Sequence, residues 1–288
     1  MNTKQENRND CIEVGNKYEP TLSIDELRGK ISALGIKKAN TKEWQLALLG
    51  VLAGLYIGFG AHAYLVAIQQ GMGKIIGGAV FSTGLMLVVI GGAELFTGNI
   101  IMIVSTIISP KMILKTLKNW IIVYSSNFIG SIVFAVLIWY SGLLGSAETI
   151  NSLGETAIEI AEAKMSISFC QAFIRGIFCN ILVILAIILA TIPKDVISRV
   201  FCCIMPIMVF VASGFEHCIA NMFLIPVGLL AKGLSGTELF IMFDNIITVT
   251  LGNMVGGIFI LTVHPNRIRQ LVYLFKNKHI FKKPENHF

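Results

Sequence analysis

Two apolar stretches of this chain, 75–108 and 197–230, are each too long for one membrane span, and each is broken inside by a carboxylate and an asparagine. About 20 helical residues cross the roughly 30 Å hydrocarbon core of a bilayer. Broken backbone at that depth leaves N–H and C=O groups without water, and it persists only where protein or a water-filled cavity satisfies them. The two stretches therefore demand interrupted helices held inside a bundle. Four further stretches, 45–68, 120–140, 165–191 and 238–263, each have the length of one span. The chain is 55% hydrophobic and 14% charged, against about 25% charged in a soluble domain. These features predict an all-α membrane protein of six transmembrane helices, with helices 2 and 5 interrupted.

The charges divide the chain into three parts. Residues 1–43 form a polar, basic leader with no cleavable signal peptide, 44–264 a membrane domain, and 265–288 a basic tail. Ser23 and Glu26 have capping-box spacing. Leu22, Leu27, Ile31 and Leu34 follow at helical spacing, predicting an amphipathic helix near 23–38. It serves either as a surface anchor or as a gate against a pore mouth. Lys and Arg concentrate in the leader, in the loops near 109–119 and 191–200, and in the tail, whereas the 141–164 loop carries Glu148, Glu155, Glu159 and Glu162. This alternation places both termini in the cytoplasm of a multi-pass protein of the plasma (cell inner) membrane. The net charge of +6 flanks the spans. It fits an anionic leaflet rather than nucleic acid. The six cysteines form no C-x-x-C pair, and they predict apolar packing rather than a metal site or a disulfide framework. No cofactor is expected.

The breaks resemble each other. Glu94 and Asn99 are five apart, as are Glu216 and Asn221, and the pairs are offset by 122 residues. The same offset relates Gly54 to Gly176, Gly58 to Asn180 and Ala53 to Arg175. Asn127-Phe-Ile-Gly130 resembles Asn253-Met-Val-Gly256, with the offset drifting to 126. Residues 45–140 and 165–263 thus read as two copies of a three-helix unit. Three spans per copy make the repeat inverted, and inverted repeats place the transported species near the midplane at their broken helices.

The chemistry at the breaks suits an anion. A helix beginning after each break points its positive N-terminal end and spare N–H donors to the centre. Cations would instead require rings of carbonyls or carboxylates. Glu94 and Glu216 are costly in a membrane. They either bond backbone amides of the facing break or transfer protons, and Asn99 and Asn221 satisfy or cap the half-helices. His217, whose counterpart is Leu95, is either a core histidine held by a neighbour, or a donor to a transiting anion or proton exchanger, since histidine titrates near neutral pH. Thr97 either caps backbone locally or offers its hydroxyl to the same species or to His217. Lys164 either collects anions by local potential or pairs with Glu162. Asn180, further into that segment, is placed to hydrogen-bond in the same vestibule. His62 and Arg175 are further polar groups within apolar stretches.

The stretch Phe81-Ser-Thr-Gly-Leu-Met-Leu-Val-Val-Ile-Gly-Gly-Ala-Glu-Leu-Phe-Thr-Gly-Asn99 resembles the first signature of the formate/nitrite transporter family. Phe210-Val-Ala-Ser-Gly-Phe-Glu-His-Cys-Ile-Ala-Asn-Met-Phe223 is similar to its second, and Lys164 and Phe178-Cys-Asn180 fall where the family has its fourth-helix Lys and Asn. The resemblance covers about residues 45–263. It implies an aquaporin-like protomer within a homopentamer, each with its own pore. It implies that His217 is the central histidine with Thr97 its loop partner, that Lys164 and Asn180 serve the outer vestibule, and that Phe81, Leu85, Leu95, Phe96 and Phe210 form the constrictions. The implied substrates are small monovalent anions, formate or nitrite first; the reading of His217 leaves two modes, channel-like anion flow or flux coupled to a proton. Hydrosulfide, lactate or acetate are the alternatives. A neutral-solute channel would carry Asn-Pro-Ala at the breaks, and an enzyme would need a catalytic set beside His217. The chain has neither.

Overall fold

The computed structural model describes residues 24–263, and every regular element among them is a helix. Five helices are long and apolar enough to cross a membrane: α2 (Glu43–Gln69), α3 (Gly73–Gly91), α6 (Ile113–Tyr140, entered through a 3-10 turn), α8 (Phe169–Ala190) and α11 (Gly236–Val263). The two over-long stretches are interrupted where the sequence predicts. The first continues past α3 as α4 (Phe96–Asn99) and, after a 3-10 turn, α5 (Ile103–Ile108); the second divides into α9 (Val196–Ala212) and α10 (Cys218–Lys232). The predicted leader helix is α1 (Ile24–Ala39). Its predicted cap Ser23, the rest of the leader with Cys11, and the basic tail lie outside the described residues.

Both α3 and α9 end by the same device. Gly92 (φ 75°) and Gly214 (φ 72°) adopt the left-handed conformation that only glycine takes cheaply. The following N–H then reaches back five residues, Ala93 to the Val88 carbonyl (3.0 Å) and Phe215 to the Phe210 carbonyl (3.1 Å). This closes the last turn in the Schellman manner and turns the chain toward the bundle axis.

One element departs from the sequence reading. The acidic 141–164 segment is not all loop, for it holds α7 (Ser152–Met165). Asn151 caps this helix by accepting the Leu153 and Gly154 N–H groups, each at 3.0 Å. Glu155 lies in its first turn and Lys164 in its last, the order that a helix dipole favours.

With α7 in place, each repeat has a short helix, a long helix, a broken helix and a second long helix: α1 to α6, then α7 to α11. Within each repeat the long helices pack tightly together, α2 on α6 and α8 on α11, while α3 crosses to α9 of the other copy. The tight crossings use glycine. A Cβ on Gly130 would meet the Val51 carbonyl, and one on Gly256 the Ile177 carbonyl. Small residues let helices approach closely where lipid supplies no hydrophobic drive. Gly256→Ala is therefore expected to lose about 1–3 kcal/mol by overpacking against backbone. The check is a lower unfolding midpoint in detergent. Large apolar side chains such as Leu114, Ile121, Leu137 and Phe240 remain exposed on the outer surface, as a lipid-facing or subunit-facing wall requires.

Candidate functional site

The backbone of each break is satisfied by one asparagine of the last long helix of its repeat. Asn127 accepts the Phe96 N–H (2.9 Å) and donates to the carbonyls of Glu94 (2.9 Å) and Gly50 (2.8 Å). Asn253 accepts the Cys218 N–H (2.9 Å) and donates to the carbonyls of Glu216 (2.9 Å) and Gly176 (2.8 Å). The Glu94 and Glu216 N–H groups go to the carbonyls of Leu49 (3.2 Å) and Arg175 (3.3 Å). These pairs correct the repeat register of the first long helices. Gly176 corresponds to Gly50 and Arg175 to Leu49, an offset of 126 rather than 122, because the second copy has four fewer residues between its first long helix and its break.

The glutamate side chains do not bond the facing break's amides, contrary to that sequence expectation. Each is instead the centre of a charged cluster. Glu94 Oε2 accepts from Lys38 Nζ and Asn99 Nδ2, both at 2.7 Å. Glu216 Oε2 accepts from Lys164 Nζ at 2.8 Å and Asn221 Nδ2 at 2.7 Å. The asparagines pass the network on, Asn99 to Asn119 Oδ1 (2.8 Å) and Asn221 to Asn245 Oδ1 (2.9 Å). Asn119 and Asn245 then donate to the carbonyls of Lys38 (3.3 Å) and Lys164 (2.8 Å), tying α1 and α7 to their repeats. Lys38 is the counterpart of Lys164, which sequence reasoning missed. The offset of 126, carried back from Lys164, would have found it. Lys164 does not pair with Glu162, which goes to Lys232 at 2.7 Å. Glu94 and Glu216 have little solvent contact, 10% and 7% of their side chains, so the lysines neutralise charges that water cannot.

Two cavities open at opposite ends of α3. One, of about 380 Å³, is lined by Lys74, Phe81, Lys164, Arg175, Phe210, Glu216 and His217 among others. The other, of about 300 Å³, is lined by Lys38, Val88, Glu94, Leu95, Gly98 and Arg199 among others. Phe81 and Val88 stand about 10 Å apart along α3, so the partition between the cavities is thin. Leu85 and Thr97 are buried in that region. Phe81 and Phe210 meet edge to face with centroids 5.7 Å apart, and Phe210 stacks on His217 at 6.0 Å.

His217 reaches Thr97 across the repeats, Nε2 to Oγ1 at 3.0 Å. Its Nδ1 accepts the Ala220 N–H at 3.2 Å, capping α10. A nitrogen that accepts carries no proton, so the neutral ring has its hydrogen on Nε2, directed at the Thr97 oxygen. The Thr97 hydroxyl hydrogen is then free to point elsewhere. Asn180 is fully buried and belongs to neither cavity wall; it donates to the carbonyls of Asn253 (2.7 Å) and Thr97 (3.4 Å). The Phe96 ring packs on Trp120 and Tyr124, away from both cavities. His62 is half-buried on α2 and lines neither cavity.

The family model described as formate/nitrite transporter matches residues 25–265. The formate channel FocA of Haemophilus influenzae is 36% identical over 244 residues, covering 76% of this chain and 85% of that protein. A probable formate transporter of Methanothermobacter thermautotrophicus is 37% identical, over 78% of this chain and 89% of its own. A solved pentameric formate channel with formate bound superposes with a TM-score of 0.65 at 33% identity, over 81% of this chain and 98% of that one. On the matched residues, the two broken helices and these relatives, the chain belongs to the formate/nitrite transporter family.

Proposed function

We propose that the chain passes small monovalent anions, formate first, through a pore within each protomer of a homopentamer. The observation that carries this reading is the Thr97–His217 hydrogen bond in the partition between two lysine-bearing cavities. The similarity to formate channels supports formate over hydrosulfide, lactate or acetate. The activity is passage, not catalysis. The termini lie in the cytoplasm, so the Lys38 cavity opens inward and the Lys164 cavity outward, with the leader and the tail both on the inner side.

An anion entering either cavity meets a positive side chain and then apolar wall: Phe81, Phe210 and Leu85 from outside, Leu95 from inside. Thr97 and His217 offer hydrogen-bond donors where the anion has shed its water. A neutral His217 can donate a hydrogen bond but not a proton. To hand a proton to formate it must first take one up at Nδ1, which breaks the bond from Ala220 N–H. Anion flow with hydrogen bonding alone and flux coupled to a proton therefore correspond to two protonation states of one ring. Asn180 acts in this scheme by fixing the carbonyl of Thr97.

Purified protein in proteoliposomes is expected to take up labelled formate far faster than empty vesicles do. Uptake no faster than in empty vesicles at any pH from 5 to 8 contradicts the proposal.

A further inference from the structure

Arg175 is a cation in the Lys164 cavity that the passage just described does not use. It lines that cavity from α8, and its carbonyl holds the Glu216 N–H at 3.3 Å, which pins it beside the second break. Its side chain is half-buried. Among the described residues no carboxylate lies within ion-pair distance of the guanidinium, and none of its N–H groups has a protein acceptor. Of the cavity's two carboxylates, Glu216 is held by Lys164 and Asn221, and Glu159 is exposed to solvent. The opposite cavity has no such group. Its arginine, Arg199, donates through Nε to the Ala190 carbonyl (3.2 Å), and the repeat counterpart of Arg175, by the shared bond to a glutamate N–H, is Leu49.

A guanidinium presents two parallel N–H groups that match the two oxygens of a carboxylate; an ammonium is a point charge without that fork. A concave wall of low dielectric strengthens the attraction. We propose that Arg175 is the capture residue of this mouth, binding planar two-oxygen anions such as carboxylates bidentately before they reach the partition, and so favouring them over single-centre anions such as hydrosulfide. This rests on the reading of the chain as an anion pore.

The test uses the full chain in detergent, with formate binding followed by saturation-transfer NMR, and in proteoliposomes, with formate and hydrosulfide flux measured side by side. R175L, which installs the residue of the first repeat, is expected to raise the half-saturating formate concentration about tenfold, the scale of a charge-assisted pair. R175K, which keeps the charge and loses the fork, is expected to raise it about threefold for formate while leaving hydrosulfide within about twofold of wild type. R175L that binds formate as wild type does overturns the proposal. So does R175K that matches wild type for formate, since charge alone then suffices. Binding that depends on Arg175 in a protein without flux supports the capture site and sinks the pore reading instead.

Discussion

Asn253→Leu is expected to unfold the second break and to lower the unfolding midpoint more than any other single asparagine change in the α8–α11 repeat. Asn253 serves three groups, the Cys218 N–H and the carbonyls of Glu216 and Gly176. Gly176 lies within α8 and retains its helical partner, but the other two sit in the break. Side-chain hydrogen bonds between membrane helices average only about 0.6 kcal/mol, because the freed groups find other partners. Here the freed groups are backbone, buried, with no second partner among the described residues, and each orphan costs about 1–3 kcal/mol. The loss is then about 2–6 kcal/mol against a total of 5–15 for a typical domain. Asn253→Asp keeps the acceptor for Cys218 and loses both donors, so it is expected to fall between. Thermal unfolding in detergent, followed by intrinsic fluorescence, checks the order; an unchanged midpoint for Asn253→Leu contradicts it.

The second large effect is expected at Lys164. Lys164→Met leaves Glu216 as a carboxylate with 7% of its side chain exposed and no cation. Removing one partner of a buried pair typically costs about 3–5 kcal/mol, whereas replacing both with neutral groups is often near neutral. The double variant Lys164→Met/Glu216→Gln is therefore expected to recover most of the stability that Lys164→Met loses. The pair also holds α7 against the break, so Lys164→Met is expected to be cut more readily by protease in the segment before α8. Limited proteolysis and unfolding midpoints read the two consequences separately. A double variant no more stable than Lys164→Met shows that the cost arises elsewhere.

How far the sequence discloses this site depends on the kind of residue. The breaks were legible because an ionisable pair inside an apolar run is costly, and Glu94/Asn99 and Glu216/Asn221 repeat that cost at one spacing. The His217–Thr97 bond joins residues 120 apart, and apolar patterning alone leaves it open beside local capping. The inverted repeat bends Thr97 and His217 toward each other, so the bond follows once two half-helices meet at the centre. Lys38 was not legible from its surroundings, since a lysine in a basic leader looks like any charge that follows the anionic leaflet. Only the register of 126, which Asn127/Asn253 and Gly130/Gly256 already carried, distinguishes it. Helix α7 was hidden for a similar reason: its glutamates suggest a solvated loop, and its capping by Asn151 is a local bond that hydrophobic patterning does not register. Phe96 shows the opposite case, for a signature aromatic beside a break packs on Trp120 and Tyr124 because α6 passes behind the first break.

The central claim is that the anion crosses the partition at the Thr97–His217 bond. Leu95 holds the same place in the first break as His217 in the second, so His217→Leu makes the breaks alike, with a side chain of similar size that bonds neither Thr97 nor the Ala220 N–H. The measurement is formate flux into proteoliposomes for wild type and His217→Leu, at matched protein content and with matched elution on size exclusion. The expected result is a fall of about a hundredfold, the scale seen when a buried donor facing a desolvated anion is removed. Wild-type flux in His217→Leu contradicts the account.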